Sequence, residues 1–363
     1  MENLVLRDFH AGLGARFGQL NGSEIVLSYG DVAREYKALR SGAAILDLGF
    51  RSRVCVTGAD RLRFLHGQVT NDVRSLRAGE GCYAALITAK ARMQSDLNIY
   101  SLQDEVLLDF EPGLTATVSE RLEKYVIADD VQIVDVGLLY GLVSVVGPEA
   151  AGTVNSLGLR TVPAKPFESA KITDPILGEI YIINQSHAGF NGFDLFVPTD
   201  ALRGIADKLV TCTGTGPALF CGWEALETAR IEAGIPRFGA DMDDSNIPLE
   251  AGLDKSAISF NKGCYIGQEI ISRIRTYGQV AKSLRGLRVE NDLKAPPVKG
   301  DKLFHEDKEA GYITSAVLSP ALHSNIALAY VRKEANQTGN ELLLRTAGQE
   351  AKALIVETPF KSE

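Results

Sequence analysis

The sequence is poor in cysteine, histidine and tryptophan, and it contains no long apolar run. Its 363 residues include five cysteines, five histidines and one tryptophan. No segment offers about 18 consecutive apolar residues, so we expect no membrane-spanning helix and no membrane partner. The first residues carry acidic and basic groups instead of the basic and apolar segments of a secretory signal. The chain is therefore expected to be cytoplasmic.

The cysteines are too few and too scattered for a disulfide framework. They are Cys55, Cys82, Cys212, Cys221 and Cys264, an odd number without CxxC spacing. Such a set is typical of free thiols in a reducing compartment. The histidines show no HxxxH pattern, so we expect no preformed zinc site.

The charge balance and the length limit the class of protein further. The formal net charge of −8 argues against a broad nucleic-acid surface. The 45% of hydrophobic residues is an ordinary globular value. A chain of 363 residues exceeds what one hydrophobic core usually supports, so two or three domains are expected.

The pattern of helices and strands predicts an α+β fold. DVAREYKALRSG has helical spacing and a glycine stop, and RVCVT has strand-like alternation. The order β, α, β, β, α, β recurs, which favours ferredoxin-like, split βαβ units, although other α+β packings fit the pattern equally well. After about Gln279, short strands alternate with polar turns, which predicts a small antiparallel barrel or sandwich.

The stretch NKGCYIGQEIISRI, from Asn261 to Ile274, places a thiol just before a predicted helix. A helix N-terminus carries partial positive charge, and Lys262 adds a full charge two residues before Cys264. Both effects favour thiolate, so we expect a lowered pKa and a nucleophilic or redox-active Cys264. The alternative is a buried structural cysteine, which is the interpretation we give the other four.

Acidic candidates are less distinctive. Asp96 interrupts a strand-like run, where apolar neighbours would raise its pKa, and Asp194 follows two aromatic residues. Each is also compatible with an ordinary strand-end or surface position. Glu227 and Arg230 are three residues apart on a predicted helix, which indicates a surface ion pair worth about 0.3 kcal/mol.

Several segments together resemble a known family. They are EYKALRSGAAILDL, GADRLRFLHGQVTNDV, RIEAGIPRFGADMDD, KGCYIGQE and GYITSAVLSPALHSNIALAYV. They resemble YgfZ-type members of the folate-binding family that includes the glycine cleavage T-protein, an aminomethyltransferase. The resemblance implies two ferredoxin-like lobes within residues 1–280, the second at about 50–140, around a central opening. It also implies a C-terminal β-barrel over residues 281–363.

The resemblance further implies a tetrahydrofolate-type ligand, or a one-carbon derivative of it, in the opening. Tyr83 and Asp96 match the positions that hold the pterin, and Asp194 and His187 match an acid and a tyrosine of the T-proteins. Leu226 stands where an arginine is expected. Arg230 and Glu232 belong to the RIEAG motif, which we interpret as mainly structural.

Three functions follow as hypotheses. The leading one is a folate-binding accessory protein for iron–sulfur cluster assembly or repair, with effects on transfer-RNA modification. Its partners would be iron–sulfur assembly or client proteins, with Cys264 as the reactive thiol, Lys262 as its activator and Asp96 in proton handling. The second is a folate-dependent aminomethyltransferase that relies on Asp96. The third is a non-catalytic binding module.

Overall fold

The computed structural model describes residues 3–159, 162–215, 218–290, 293 and 295–361. The side chains of residues 212–215 lie outside this description, and so does the expectation for the Cys212 thiol. Among the described residues, no helix combines the length and the apolar composition that a membrane span requires.

Eight helices lie in the described part of the chain: α1 (Arg7–Gly12), α2 (Val32–Ser41), α3 (Arg61–Gln68), α4 (Thr115–Glu123), α5 (Ala150–Ser156), α6 (Leu202–Thr215), α7 (Trp223–Glu232) and α8 (Gln268–Tyr277). The first nine strands are β1 (Arg16–Leu20), β2 (Ser23–Ser28), β3 (Ala43–Asp47), β4 (Ser52–Thr57), β5 (Gly81–Ile87), β6 (Met93–Ser101), β7 (Val106–Phe110), β8 (Gln132–Asp135) and β9 (Tyr140–Val146). The later strands are β10 (Ser169–Asp174), β11 (Gly178–Asn184), β12 (Gly192–Pro198), β13 (Ala218–Phe220), β14 (Lys282–Val289), β15 (Lys302–His305), β16 (Lys308–Ser319), β17 (Ser324–Arg332), β18 (Glu341–Thr346) and β19 (Gln349–Val356).

Two sheets repeat the same plan. The five-stranded sheet has the order β5-β6-β7-β4-β8, and its chain order is β4-α3-β5-β6-β7-α4-β8. Without the edge strand β5, this is the split βαβ arrangement of a ferredoxin-like unit. The six-stranded sheet, β10-β11-β12-β9-β3-β13, repeats it around β9, with β3 inserted and β10 added at the edge. The expectation of ferredoxin-like lobes is confirmed.

The strands β14 to β19 close into an antiparallel barrel, in the order β14-β17-β16-β15-β18-β19. The expected C-terminal barrel is therefore confirmed. Its first strand begins at Lys282, directly after α8 and a short connection. Where the chain divides into independently folding domains stays a prediction.

The central strands differ from the alternating pattern that their sequence suggested. Every residue of β3 is buried, and in β4 only Thr57 is partly exposed. The second lobe contains the five-stranded sheet, and Val54 and Val56 face its core. Cys55, on the other face of β4, packs in the core between the two sheets. Because both faces of β4 are covered, Arg53 is also buried, with 1% of its surface exposed.

Local sequence signals fix the ends of α2, and packing contacts fix the position of α7. Asp31 caps α2 by accepting a hydrogen bond of 2.9 Å from the backbone N–H of Arg34. The helix ends at Gly42, as its sequence predicts. The helix α7 packs on α2 on one side, and its Ile231 contacts Ile326 and Leu328 of the barrel on the other. This helix therefore joins the first lobe to the barrel.

Candidate functional site

A cavity of about 740 Å³ lies where the two sheets, α7 and the barrel meet. Side chains of β5 and β6 form one wall, and the segment after β11 contributes another. The helix α7 with the turn that follows it, residues 234–237, closes a third side. A concave space of this size is typical of a site for a small organic ligand.

Tyr83 and Asp96 form a hydrogen-bonded pair in the cavity wall. They lie on neighbouring strands, and Tyr83 Oη donates to Asp96 Oδ2 over 2.8 Å. Burial, together with the nearby Glu111 carboxylate, raises the pKa of Asp96 to about 6. Burial and the Asp96 carboxylate also raise the pKa of Tyr83. Tyr83 therefore stays a donor, and Asp96 changes its charge close to neutral pH.

Arg51, which the sequence did not indicate as a site residue, holds two carboxylates behind this wall. Arg51 Nε donates to both oxygens of Asp109, over 2.9 and 3.0 Å, and its Nη1 donates to Glu111 over 2.8 Å. Asn98 donates to Asp109 over 3.0 Å. Burial acts to lower the pKa of Arg51, but Asp109 and Glu111 outweigh it and hold that pKa well above its usual value.

His187 and Asp194 form a second pair on the opposite side. His187 Nε2 lies 3.0 and 2.9 Å from the two carboxylate oxygens of Asp194. Only His187 reaches the cavity, because Asp194 on β12 is fully buried behind it. The proximity to a carboxylate assigns the N–H to Nε2. Asp194 therefore orients the imidazole and does not line the cavity itself.

The third wall contains an ion pair that we expected at the surface. Arg230 is bound by Glu227 and by Asp241, and only 4% of its side chain is exposed. Arg237, in the turn after α7, donates to Glu111 over 3.1 Å and lies 5.0 Å above the Trp223 ring. The surface interpretation was wrong because the barrel covers this face of α7. No spacing in the sequence indicated that Arg237 would reach the same cavity as Tyr83.

Cys264 lies away from this cavity. Its residue is exposed, and it is not part of the cavity wall. As expected, it lies in the turn ahead of α8, which begins after Gly267. Gly267 has a φ of 85°, and a Cβ there would come within 2.6 Å of the Thr88 carbonyl oxygen. The turn is therefore fixed against the second lobe, and the thiol is presented to solvent. Its reactivity stays a prediction.

Lys262 has its own hydrogen-bond partners. Its Nζ donates to the carbonyl oxygens of His66, Val69 and Asn71, over 2.5, 2.7 and 2.7 Å. These carbonyls lie at the end of α3 and in the turn after it. Burial lowers the pKa of Lys262 to about 8. The ammonium thus anchors the Cys264 turn to the second lobe, and its role as an activator of the thiol stays a prediction.

Comparison with known proteins relates this arrangement to a family. The sequence model of the family described as the GCVT N-terminal domain matches residues 6–262, which is more than half of the chain. The chain belongs to the glycine cleavage T-protein family. Residues 282–361 match the C-terminal barrel domain of the same T-protein.

The similarity to relatives in this family covers nearly the whole chain. An aminomethyltransferase of Geobacillus thermodenitrificans is 28% identical and covers 97% of this chain and 96% of its own. One from Cupriavidus necator is 30% identical, with coverage of 98% and 96%. A chloroplastic protein of Arabidopsis thaliana, named only as a transferase, is 28% identical and covers 97% and 79%.

A solved structure has the same fold. It is the glycine cleavage system aminomethyltransferase T from Bartonella henselae, with a TM-score of 0.91, 23% identity, and coverage of 99% of this chain and 98% of its own. The T-protein family binds tetrahydrofolate, which agrees with the expected folate ligand. The position of the cavity between the lobes and the barrel agrees with the central opening that the resemblance implies.

Proposed function

We propose that this protein binds tetrahydrofolate, or a one-carbon derivative of it, in the central cavity. The observation that carries this proposal is the pair of Tyr83 and Asp96 in a cavity of about 740 Å³. The residues present fit such a ligand: Asp96 and His187 offer polar contacts, and Trp223 and Phe167 offer aromatic surface. When bound, tetrahydrofolate supplies amines that carry one-carbon groups.

The roles of the wall residues follow from their protonation. With a pKa of about 6, Asp96 is mostly a carboxylate at pH 7.5 and accepts a hydrogen bond or a proton from a ligand amine. Tyr83 holds the other face of that carboxylate by its hydrogen bond, so the side chain keeps one orientation. On the opposite wall, Nδ1 of His187 accepts a hydrogen bond from a ligand edge while Asp194 fixes the ring through Nε2.

We propose further that the folate-loaded protein is a YgfZ-type accessory factor for iron–sulfur cluster assembly or repair. Cys264 supports this role because its thiol is exposed on a turn that Lys262 and Gly267 fix in place. A thiol outside the ligand cavity is suited to a partner protein and not to the bound folate. Thiolates are the usual ligands of iron–sulfur clusters. Clients would include cluster enzymes that modify transfer RNA.

The experiment that tests this proposal separates the cavity from the thiol. Tetrahydrofolate at about 100 times its dissociation constant should stabilise the protein by about 2.7 kcal/mol, which a thermal shift detects. We expect Cys264→Ser to keep this shift and to lose the rescue of cluster-enzyme activity in cells that lack the protein. Full rescue by Cys264→Ser would refute the thiol role. No thermal shift with the wild type would refute folate binding and favour a non-catalytic module.

The second candidate function is aminomethyl transfer, which the names of the relatives favour. Under this alternative Asp96 takes part in the reaction and Cys264 does not. An assay with an aminomethylated carrier protein and tetrahydrofolate decides between the two. Turnover that falls with Asp96→Asn and survives Cys264→Ser would support the transferase.

A further inference from the structure

Arg237 lines the cavity, and one edge of its guanidinium group makes no hydrogen bond to a described residue. Its Nη1 donates to Glu111 over 3.1 Å, but within the described part of the chain its Nε has no hydrogen-bond partner, and the structure records none for Nη2. These two nitrogens carry parallel N–H groups, the fork that recognises an acceptor in a bidentate way. Arg51 and Arg230, in contrast, each donate hydrogen bonds to two carboxylates, whereas Arg237 donates to one. Arg237 is thus available to a ligand.

Glu227 forms an ion pair with this edge and offers an acceptor beside it. Glu227 Oε2 is buried and accepts no hydrogen bond from a described residue. It lies 3.6 Å from Arg237 Nε, which is too long for a hydrogen bond. Buried polar atoms are nearly always paired in native proteins. A donor edge and an acceptor that form an ion pair without a hydrogen bond, side by side in a cavity wall, are therefore complementary to a group that both accepts and donates.

The charges at this corner indicate what kind of group it receives. Arg237 lies between the carboxylates of Glu111 and Glu227, so a further carboxylate would be repelled from both sides. A neutral carbonyl with a neighbouring N–H avoids that repulsion and still satisfies both free edges. We propose that Arg237 and Glu227 recognise an amide-type group of the ligand, with its carbonyl oxygen on the Arg237 fork and its N–H on Glu227 Oε2.

The surroundings of Arg237 suit a recognition residue. The Trp223 ring lies 5.0 Å from the guanidinium carbon, and Glu111 holds Nη1, so the free edge is fixed before a ligand arrives. Leu226, where the family resemblance leads us to expect an arginine, lines the same wall without any charge. The inference rests on the proposed folate binding, because folate contains amide groups in its pterin and in its benzoyl-glutamate part.

The experiment compares affinities for whole and divided ligands. Anaerobic calorimetry would measure tetrahydrofolate, 6-methyltetrahydropterin and p-aminobenzoylglutamate against the wild type, Arg237→Gln and Arg237→Lys. Trp223, the single tryptophan of the chain, gives a fluorescence readout at the same corner. Arg345→Gln is the matched control, because Arg345 also stacks on an aromatic ring and pairs with one glutamate, but on the exposed face of the barrel.

We expect Arg237→Gln to weaken tetrahydrofolate binding about tenfold or more, which is the usual effect of losing hydrogen bonds to a charged group. The same loss should appear with one fragment and not with the other, and Arg345→Gln should change nothing. Arg237→Lys keeps the charge without the fork, so it should bind as weakly as the glutamine variant. Wild-type affinity in the lysine variant, or equal losses with both fragments, would overturn the recognition role while folate binding stands. If the wild type binds none of the three ligands, folate binding and this inference both fail.

Discussion

Replacing Asp96 with asparagine should stabilise the protein at neutral pH. The Asp96 carboxylate lies in the cavity wall beside Glu111. Burial and the Glu111 charge raise its pKa from 3.8 to about 6. The folded state therefore holds the Asp96 proton more tightly than the unfolded state does. Stability falls as the pH rises from about 4 to 6, and the full penalty is present above that range. Asparagine has no charge to bury, and it can still accept the hydrogen bond from Tyr83.

The size of the effect follows from the pKa shift. A shift of about two units corresponds to about 3 kcal/mol at pH 7.5. At about 2.1 cal/mol/K of unfolding entropy per residue, a chain of 363 residues gains roughly 4 °C in melting temperature, if it unfolds as one unit. A lobe that unfolds alone would show a larger shift. Below about pH 4 the difference between variant and wild type should disappear, because both side chains are then neutral.

Differential scanning calorimetry between pH 4 and 8 measures this difference. The control is Asp109→Asn, which also removes a buried carboxylate but takes two hydrogen bonds from Arg51. It should lower the melting temperature at pH 7.5, since it leaves a buried guanidinium less compensated. A lower melting temperature of Asp96→Asn at pH 7.5, or a gain in melting temperature that does not change with pH, would refute the raised pKa of Asp96. The stabilised variant should also bind tetrahydrofolate more weakly.

Other consequences follow from the same contacts. Lys262→Met should lower the melting temperature by several degrees because three carbonyls lose a charged donor, whereas Lys302→Met, at an exposed pair, should change it by about 1 °C or less. His187→Ala should destabilise the protein by about 3 kcal/mol and weaken folate binding in calorimetry, because Asp194 is left buried without its partner. Maleimide should label Cys264 ahead of the buried thiols in native protein, as peptide mass spectrometry would show; equal labelling of all thiols would contradict its exposed position.

Parts of the fold could be predicted from local sequence patterns. The helix over α2 has an aspartate cap and a glycine end, both of which act through the nearest backbone groups. The short strands after Gln279 likewise predicted an antiparallel barrel or sandwich, and the family resemblance indicated the barrel. The pairs β14–β17 and β15–β18 join strands that are not neighbours in sequence, so local pattern did not predict them. Burial of both faces of β4 was not accessible, since it depends on layers that come from distant parts of the chain.

The candidate site was only partly accessible. Tyr83 and Asp96 lie 13 residues apart on adjacent strands, and the family resemblance indicated both. Arg51, Glu111 and Arg237 were missed because their partners are 58 to 126 residues away in the chain. No periodicity or spacing reports on pairs at that separation. Pairing of β4 with β7 brings Arg51 to Glu111, and the packing of α7 with its following turn brings Arg237 to the same carboxylate.

By itself, the sequence pattern indicated an α+β chain, a C-terminal barrel or sandwich, and a turn at Cys264 ahead of a helix, and the family resemblance added the two lobes and the barrel. The pattern depends on hydrophobic periodicity, caps and glycines, which act over a few residues. The tertiary structure decided that Asp194 lies behind His187, that Lys262 is bound by three carbonyls, and that Arg237 enters the cavity wall with one edge not hydrogen-bonded. Those outcomes depend on which distant groups satisfy each charge, and hydrogen-bond partners are assigned only when the lobes pack together.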